Sequence, residues 1–196
     1  MKFLLVGHSF VRRVAGAPRG SLSFPISTLG TSTESVVLEC FGEGGLSFDR
    51  IRGNPRRYVG RIRSSCPDIL ILDMGTNDLC RHAPREVFEA LWEFLEELAR
   101  QGVKPLATVL LPVLPRTSVH RSGDVPLEEF NQRVYRFNTL VQAEVLRRDC
   151  VWVCPHKGLR APRYSLDGVH LNPPGMRRYS RTLRGICLFF RRHFWG

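Results

Sequence analysis

Residues 68–78 read Asp68-Ile69-Leu70-Ile71-Leu72-Asp73-Met74-Gly75-Thr76-Asn77-Asp78. The first six are a short, nearly continuous apolar run, and the rest are a turn rich in small and polar residues. A run of this length, rich in branched side chains, suits a strand buried on both faces, as in a parallel sheet covered by helices. Four other runs share the character: residues 2–6 (KFLLV), 35–41 (SVVLECF), 106–111 (LATVLL) and 150–154 (CVWVC).

Helical patterns lie between the runs. Over residues 84–101, Val87, Phe88, Leu91, Leu95 and Leu98 form an apolar stripe, with Glu86, Glu89, Glu93 and Glu96 mostly outside it. Pro84 stands near the start and Gly102 just past the end, as helix termini favour. Over residues 127–148, Phe130, Val134, Phe137, Val141 and Val145 repeat at spacings of three and four. A last helix is expected over residues 174–190, with Tyr179, Leu183, Ile186, Cys187 and Phe190 inward. Alternation of strand and helix predicts an open, doubly wound α/β sandwich around five parallel strands. At 196 residues and 43% hydrophobic content, one domain spanning residues 1–196 is expected.

In such sheets the binding crevice lies beyond the carboxyl ends of the strands. Gly7-His8-Ser9 and Gly75-Thr76-Asn77-Asp78 each follow a strand, so both fall at that edge. Asp167-Gly168-Val169-His170-Leu171 lies near the C-terminus. A serine needs a nearby base to become a nucleophile, and His170 is the candidate. Asp167, three residues earlier, is near enough in a tight turn to accept one ring N–H and fix the tautomer. The Asn77 amide suits an oxyanion donor. Gly45, in Gly42-Glu43-Gly44-Gly45, allows close approach of backbone to a ligand. Each residue also has a bland reading. Ser9 or Asn77 can cap a helix, Asp167-Gly168 can be only a turn, and a glycine-rich stretch is usually no more than one. The glycines fit neither dinucleotide nor P-loop spacing.

The ordered combination resembles the SGNH hydrolases, or GDSL-like esterases. The four blocks correspond to residues 5–10, 41–47, 75–78 and 167–171, so the likeness covers most of the chain. It implies a flavodoxin-like three-layer α/β/α sandwich. It also implies a serine esterase in which Ser9 attacks an acyl ester of a small acid or a lipid, His170 takes the proton and Asp167 orients His170. The backbone N–H groups of Ser9 and Gly45 and the Asn77 amide would form the oxyanion hole. No metal or organic cofactor is implied. Phe10-Val11 after the serine lacks the glycine of the G-x-S-x-G elbow, in keeping with the family. Two positions depart from its pattern. His8 stands where aspartate is usual, and Leu46-Ser47 where Asp-Thr is common. Residues 5–13 (LVGHSFVRR), with the high arginine content, more narrowly resemble SGNH domains of animal retroelements.

The formal net charge is +11, carried mostly by arginine, with clusters over residues 50–63 and 177–193. Such clusters favour polyanions, meaning nucleic acid or an anionic membrane surface. A basic, non-catalytic nucleic-acid-binding module is therefore the rival to the esterase. Residues 189–195 mix aromatic and basic side chains, which suits either a helix packed on the sheet or an interfacial membrane segment. No apolar run reaches membrane-spanning length and no signal-peptide core is present, so a cytoplasmic or nuclear protein is expected. Cys40, Cys66, Cys80, Cys150, Cys154 and Cys187 are scattered, which reads as free buried thiols in a reducing compartment. Cys150, Cys154 and His156 match no common zinc spacing. Residues 112–126 form a proline-rich connection that either covers the crevice or merely spans it. Every apolar stripe has an intramolecular use, so the sequence defines no oligomer.

Overall fold

The five apolar runs form one parallel sheet. The structure, a computed structural model, describes residues 1–17, 27, 36–118, 125–160 and 166–196. The strands are β1 (Lys2–Gly7), β2 (Val37–Gly42), β3 (Ile69–Asp73), β4 (Ala107–Leu110) and β5 (Val151–Val153). Their order is β2-β1-β3-β4-β5, and every neighbouring pair is parallel. This is the flavodoxin-like order, with its switch point between β1 and β3.

Side-chain alternation along the strands divides the core into two halves. Leu4, Val6, Leu70, Leu72 and Leu110 face one apolar cluster, with α2 (Phe48–Gly53), α3 (Pro55–Ser65), α4 (Pro84–Arg100) and α5 (Leu127–Val145). Phe3, Leu5, Ile69, Ile71 and Val109 face the other, with α1 (Ser9–Ala15) and α6 (Pro173–Trp195). The sheet is therefore the middle of three layers. Where α1 crosses β2 the backbones nearly touch. A Cβ on Gly42 would lie 2.1 Å from the Arg12 nitrogen and 2.6 Å from its Cα. Only glycine lets α1 lie this close, and that contact fixes the turn carrying Ser9.

Several boundaries differ from expectation. Residue 35, where the second strand was expected to begin, lies outside the described residues. The helix expected over 127–148 ends at Val145, and the last helix runs on to Trp195. Helices α2 and α3 were not anticipated, because they occupy the arginine-rich segment. Their caps are nonetheless local: Ser47 accepts from Arg50 N–H at 3.2 Å, and Asn54 accepts from Arg57 N–H at 3.3 Å ahead of Pro55. Tyr58, Val59 and Ile62 give α3 its inward face.

The basic cluster over 50–63 is partly neutralised. Arg50 and Arg57 pair with Glu43, and Arg52 pairs with Glu93. All six cysteines are free thiols, but Cys66 and Cys150 are exposed, not buried. Trp152 and Cys154 pack on one core half, and Val151 and Val153 on the other. Of the C-terminal aromatics, Phe190 is fully buried, whereas Phe189 and Trp195 are 49% and 63% exposed. Among the described residues no helix is long and apolar enough to cross a membrane.

Candidate active site

The motifs meet at the carboxyl edge of the sheet, around the switch point. Ser9 is the first residue of α1, directly after β1. The cap position belongs to His8, and no side chain caps this helix, so capping does not account for Ser9. The Ser9 hydroxyl has the Nδ1 of its neighbour His8 as a hydrogen-bond partner, at 3.4 Å.

His170 reaches the same edge from the loop ahead of α6. Asp167 holds it through three hydrogen bonds. One carboxylate oxygen accepts from the backbone N–H groups of His170 (2.7 Å) and Val169 (3.0 Å), and the other lies 2.8 Å from the ring Nδ1. Burial works against ionisation of Asp167. The bonds from the His170 ring and from both backbone N–H groups outweigh it and hold the carboxyl well below its ordinary range. An ionised Asp167 makes Nδ1 the protonated nitrogen, so the neutral ring carries its lone pair on Nε2.

The proline-rich connection supports this loop. Thr117 N–H donates to the Gly168 carbonyl at 2.8 Å, and the Ser118 hydroxyl donates to the Asp167 carbonyl at 2.6 Å. Asn138 and Asn131 on α5 bond the backbone of Val113 and Arg116, so the start of the connection is tied down on both sides. Residues 119–124, its middle, lie outside the described residues.

The ring of Phe10 connects the two histidines. Its centroid lies 4.7 Å from that of His8 and 6.5 Å from that of His170. Both imidazoles therefore flank the residue that follows Ser9.

Asn77 does not cap a helix. It sits in a turn over residues 76–81, and the next helix begins only at Pro84. Its amide donates to the Leu46 carbonyl at 2.8 Å, which fixes its orientation and leaves its second N–H for a ligand. Gly45 has φ +73°, a left-handed conformation that favours glycine. Gly44, Gly45 and Asn77 line one polar cavity of about 250 Å³, whose walls include neither Ser9 nor His170.

Three buried residues at this edge were given no role by the sequence motifs. Asp78 is 3% exposed and accepts from Phe48 N–H at 2.8 Å, joining the glycine-rich block to the Asn77 turn. Burial pushes its carboxyl up to about 6. Asp73 ends β3 and accepts from the Tyr179 hydroxyl at 2.6 Å. Tyr179, read from sequence as one more apolar member of the last helix, contributes a buried polar tip. An acid at the inner end of an apolar strand was the available signal for Asp73. Among the described residues no cluster of three or more His, Cys, Asp or Glu is spaced to hold a metal ion.

Residues 8–178 match the model of the GDSL-like Lipase/Acylhydrolase family, and the chain belongs to that family of ester hydrolases. Solved structures agree on the fold. A carbohydrate esterase family 3 protein from Talaromyces cellulolyticus is 15% identical, with a TM-score of 0.72 over 98% of this chain and 99% of that one. A member of the lipolytic protein G-D-S-L family from Veillonella parvula is 18% identical, with a TM-score of 0.69 over 95% and 97%. An acetyl xylan esterase is 17% identical, with a TM-score of 0.66 over 95% and 99%. Direct comparison with curated proteins gives no match.

Proposed function

We propose that the chain is a serine esterase of small acyl esters, with Ser9 as nucleophile, His170 as general base and Asp167 as its orienting carboxylate. The observation that carries this reading is the Asp167 clamp, which sets both the position and the tautomer of His170. In the first step the Ser9 proton passes to His170 Nε2 while Oγ bonds to the carbonyl carbon. The backbone N–H groups of Ser9 and Gly45 and the free N–H of Asn77 receive the oxyanion. The alcohol then leaves with the proton from His170, and water, activated by the same ring, releases the acid. The acetyl ester in the name of a structural neighbour supports a short acyl group.

The test is hydrolysis of p-nitrophenyl acetate and butyrate by wild type, Ser9→Ala and His170→Ala. Loss of a triad member typically costs a factor of a thousand or more. Undiminished rates in Ser9→Ala would refute the assignment.

A second activity is supported by the C-terminal basic surface. Lys157, Arg178 and Arg181 border a cavity of about 420 Å³ beside Trp152 and Phe189, a combination of cations and aromatic faces suited to nucleic acid. The retroelement-like first block is consistent with such a partner. Binding through phosphates predicts affinity that falls steeply with salt. Affinity for an oligonucleotide that is insensitive to salt would remove this reading.

A further inference from the structure

Beneath Ser9 lies a second carboxylate–imidazole pair. The β1–β3 register sets Gly7 opposite Asp73, so His8, one residue on, lands beside the Asp73 carboxylate. His8 is 2% exposed and Asp73 3%. His8 Nε2 lies 3.3 Å from Asp73 Oδ1 and 3.1 Å from the Thr76 hydroxyl, and the Tyr179 hydroxyl donates to Asp73 Oδ2 at 2.6 Å. The other ring nitrogen, Nδ1, is the atom that faces Ser9 Oγ at 3.4 Å. We propose that His8, backed by Asp73, is a second catalytic base for Ser9, acting from the protein interior while His170 acts from the surface loop. This rests on Ser9 being the nucleophile.

The physical case is one of tautomer and charge. A carboxylate at Nε2 selects the ring form that is protonated there, leaving the lone pair on Nδ1, toward the serine. Burial opposes ionisation of Asp73, but its interactions with His8, His156 and the Tyr179 hydroxyl outweigh it and keep the carboxyl below its ordinary range. The other titratable groups around the pair come from three elements. His156 follows β5, and its burial lowers its affinity for a proton. Tyr179 on α6 and Cys40 on β2 are both pushed up, Cys40 to about 12. All three are therefore neutral near pH 7, and Asp73 is the charge to which His8 responds. A buried histidine–carboxylate pair is a poor way to stabilise a core, since its desolvation offsets its attraction. Contact with the nucleophile gives it a use.

The two bases differ in reach. His170 sits on the solvent side and can hand the proton on to a departing alcohol. His8 is enclosed and can only receive it. In the His8 route the Ser9 O–H bond breaks and its proton goes to Nδ1. Oγ bonds to the acyl carbon, the bond from that carbon to the leaving oxygen breaks, and that oxygen departs with the electron pair. Only a leaving group stable as an anion, such as p-nitrophenolate, can follow this route. When hydroxide from solvent later releases the acyl group, the departing Ser9 Oγ takes its proton back from His8 Nδ1.

The experiment is stopped-flow acylation by p-nitrophenyl acetate and by ethyl acetate, with intact mass for the acetyl adduct. It uses wild type, Ser9→Ala, His170→Ala and the doubles His170→Ala/His8→Gln and His170→Ala/Asp73→Asn. In His170→Ala the expectation is a Ser9-dependent burst of one p-nitrophenolate per chain and no turnover of ethyl acetate. Adding either second change should slow the burst by about a hundredfold, the usual worth of a general base. A burst in His170→Ala no faster than in the folded doubles overturns the proposal while the esterase reading stands. Wild type that hydrolyses both esters no faster than Ser9→Ala overturns both. Should the doubles fail to fold, nitrogen NMR of histidine-labelled wild type decides. A neutral His8 ring protonated at Nε2 upholds the proposal, and one protonated at Nδ1 overturns it.

Discussion

Asp78 ties the two halves of the proposed oxyanion hole together, and its titration makes that tie measurable. Its Oδ1 accepts from Phe48 N–H at 2.8 Å, while Oδ2 is buried with no hydrogen-bond partner among the described residues. Burial lifts the carboxyl from 3.8 to about 6, with the Asp49 charge adding to the rise and the Phe48 bond opposing it. The folded chain therefore binds this proton more tightly than the unfolded chain does. Its contribution to stability is fully present below about pH 4 and is lost as pH rises through about 6. A separation of about 2 pH units corresponds to about 3 kcal/mol. Asp78→Asn removes the titration and keeps an oxygen for Phe48 N–H. The buried amide nitrogen has its own cost, but that cost does not vary with pH. Urea unfolding of both proteins at intervals from pH 4 to pH 8 isolates the effect. The stability of the variant relative to wild type should rise across that range by up to about 3 kcal/mol. A flat difference would refute the account of Asp78 as a buried carboxyl held against its charge.

Three further outcomes follow from named contacts. Gly42→Ala drives a methyl into the Arg12 backbone, which cannot give way as a flexible side chain would. A loss of about 3 kcal/mol in urea unfolding is expected, with lower esterase activity because α1 carries Ser9. Phe190→Ala empties a fully buried site between α6 and the sheet and should cost about 3–5 kcal/mol in the same assay. Asp167→Asn places an amide N–H against His170 Nδ1 and favours the wrong tautomer. Its kcat on p-nitrophenyl acetate should fall by about a hundredfold or more at pH 7, with unfolding little changed because the Asp167 side chain is half exposed. An unchanged rate would remove Asp167 from the mechanism.

Much of the architecture is written locally. Continuous apolar runs marked five strands, and stripes at three- and four-residue spacing marked α4, α5 and α6, because each pattern needs only its own segment's periodicity. The same local chemistry joined Asp167 to His170, three residues apart. Periodicity failed where charge masked it. Tyr58, Val59 and Ile62 turn inward in α3, but four arginines between residues 56 and 63 of that segment drew the reading toward a basic cluster. It also stopped short at the C-terminus, where helix α6 continues past Phe190 while its outward aromatics stay exposed.

The sequence by itself therefore determined the fold class, the edge of the sheet at which the motifs fall, and the clamp within residues 167–170. The tertiary structure decided what surrounds Ser9. Residues 8, 73, 156 and 179 are far apart in the chain and share no periodicity. They meet because the β1–β3 register sets Gly7 against Asp73, and α6 packs on that face with the Tyr179 hydroxyl toward the carboxylate. Strand register and helix packing are set by the whole core at once, so a polar network that depends on them leaves no short pattern to read.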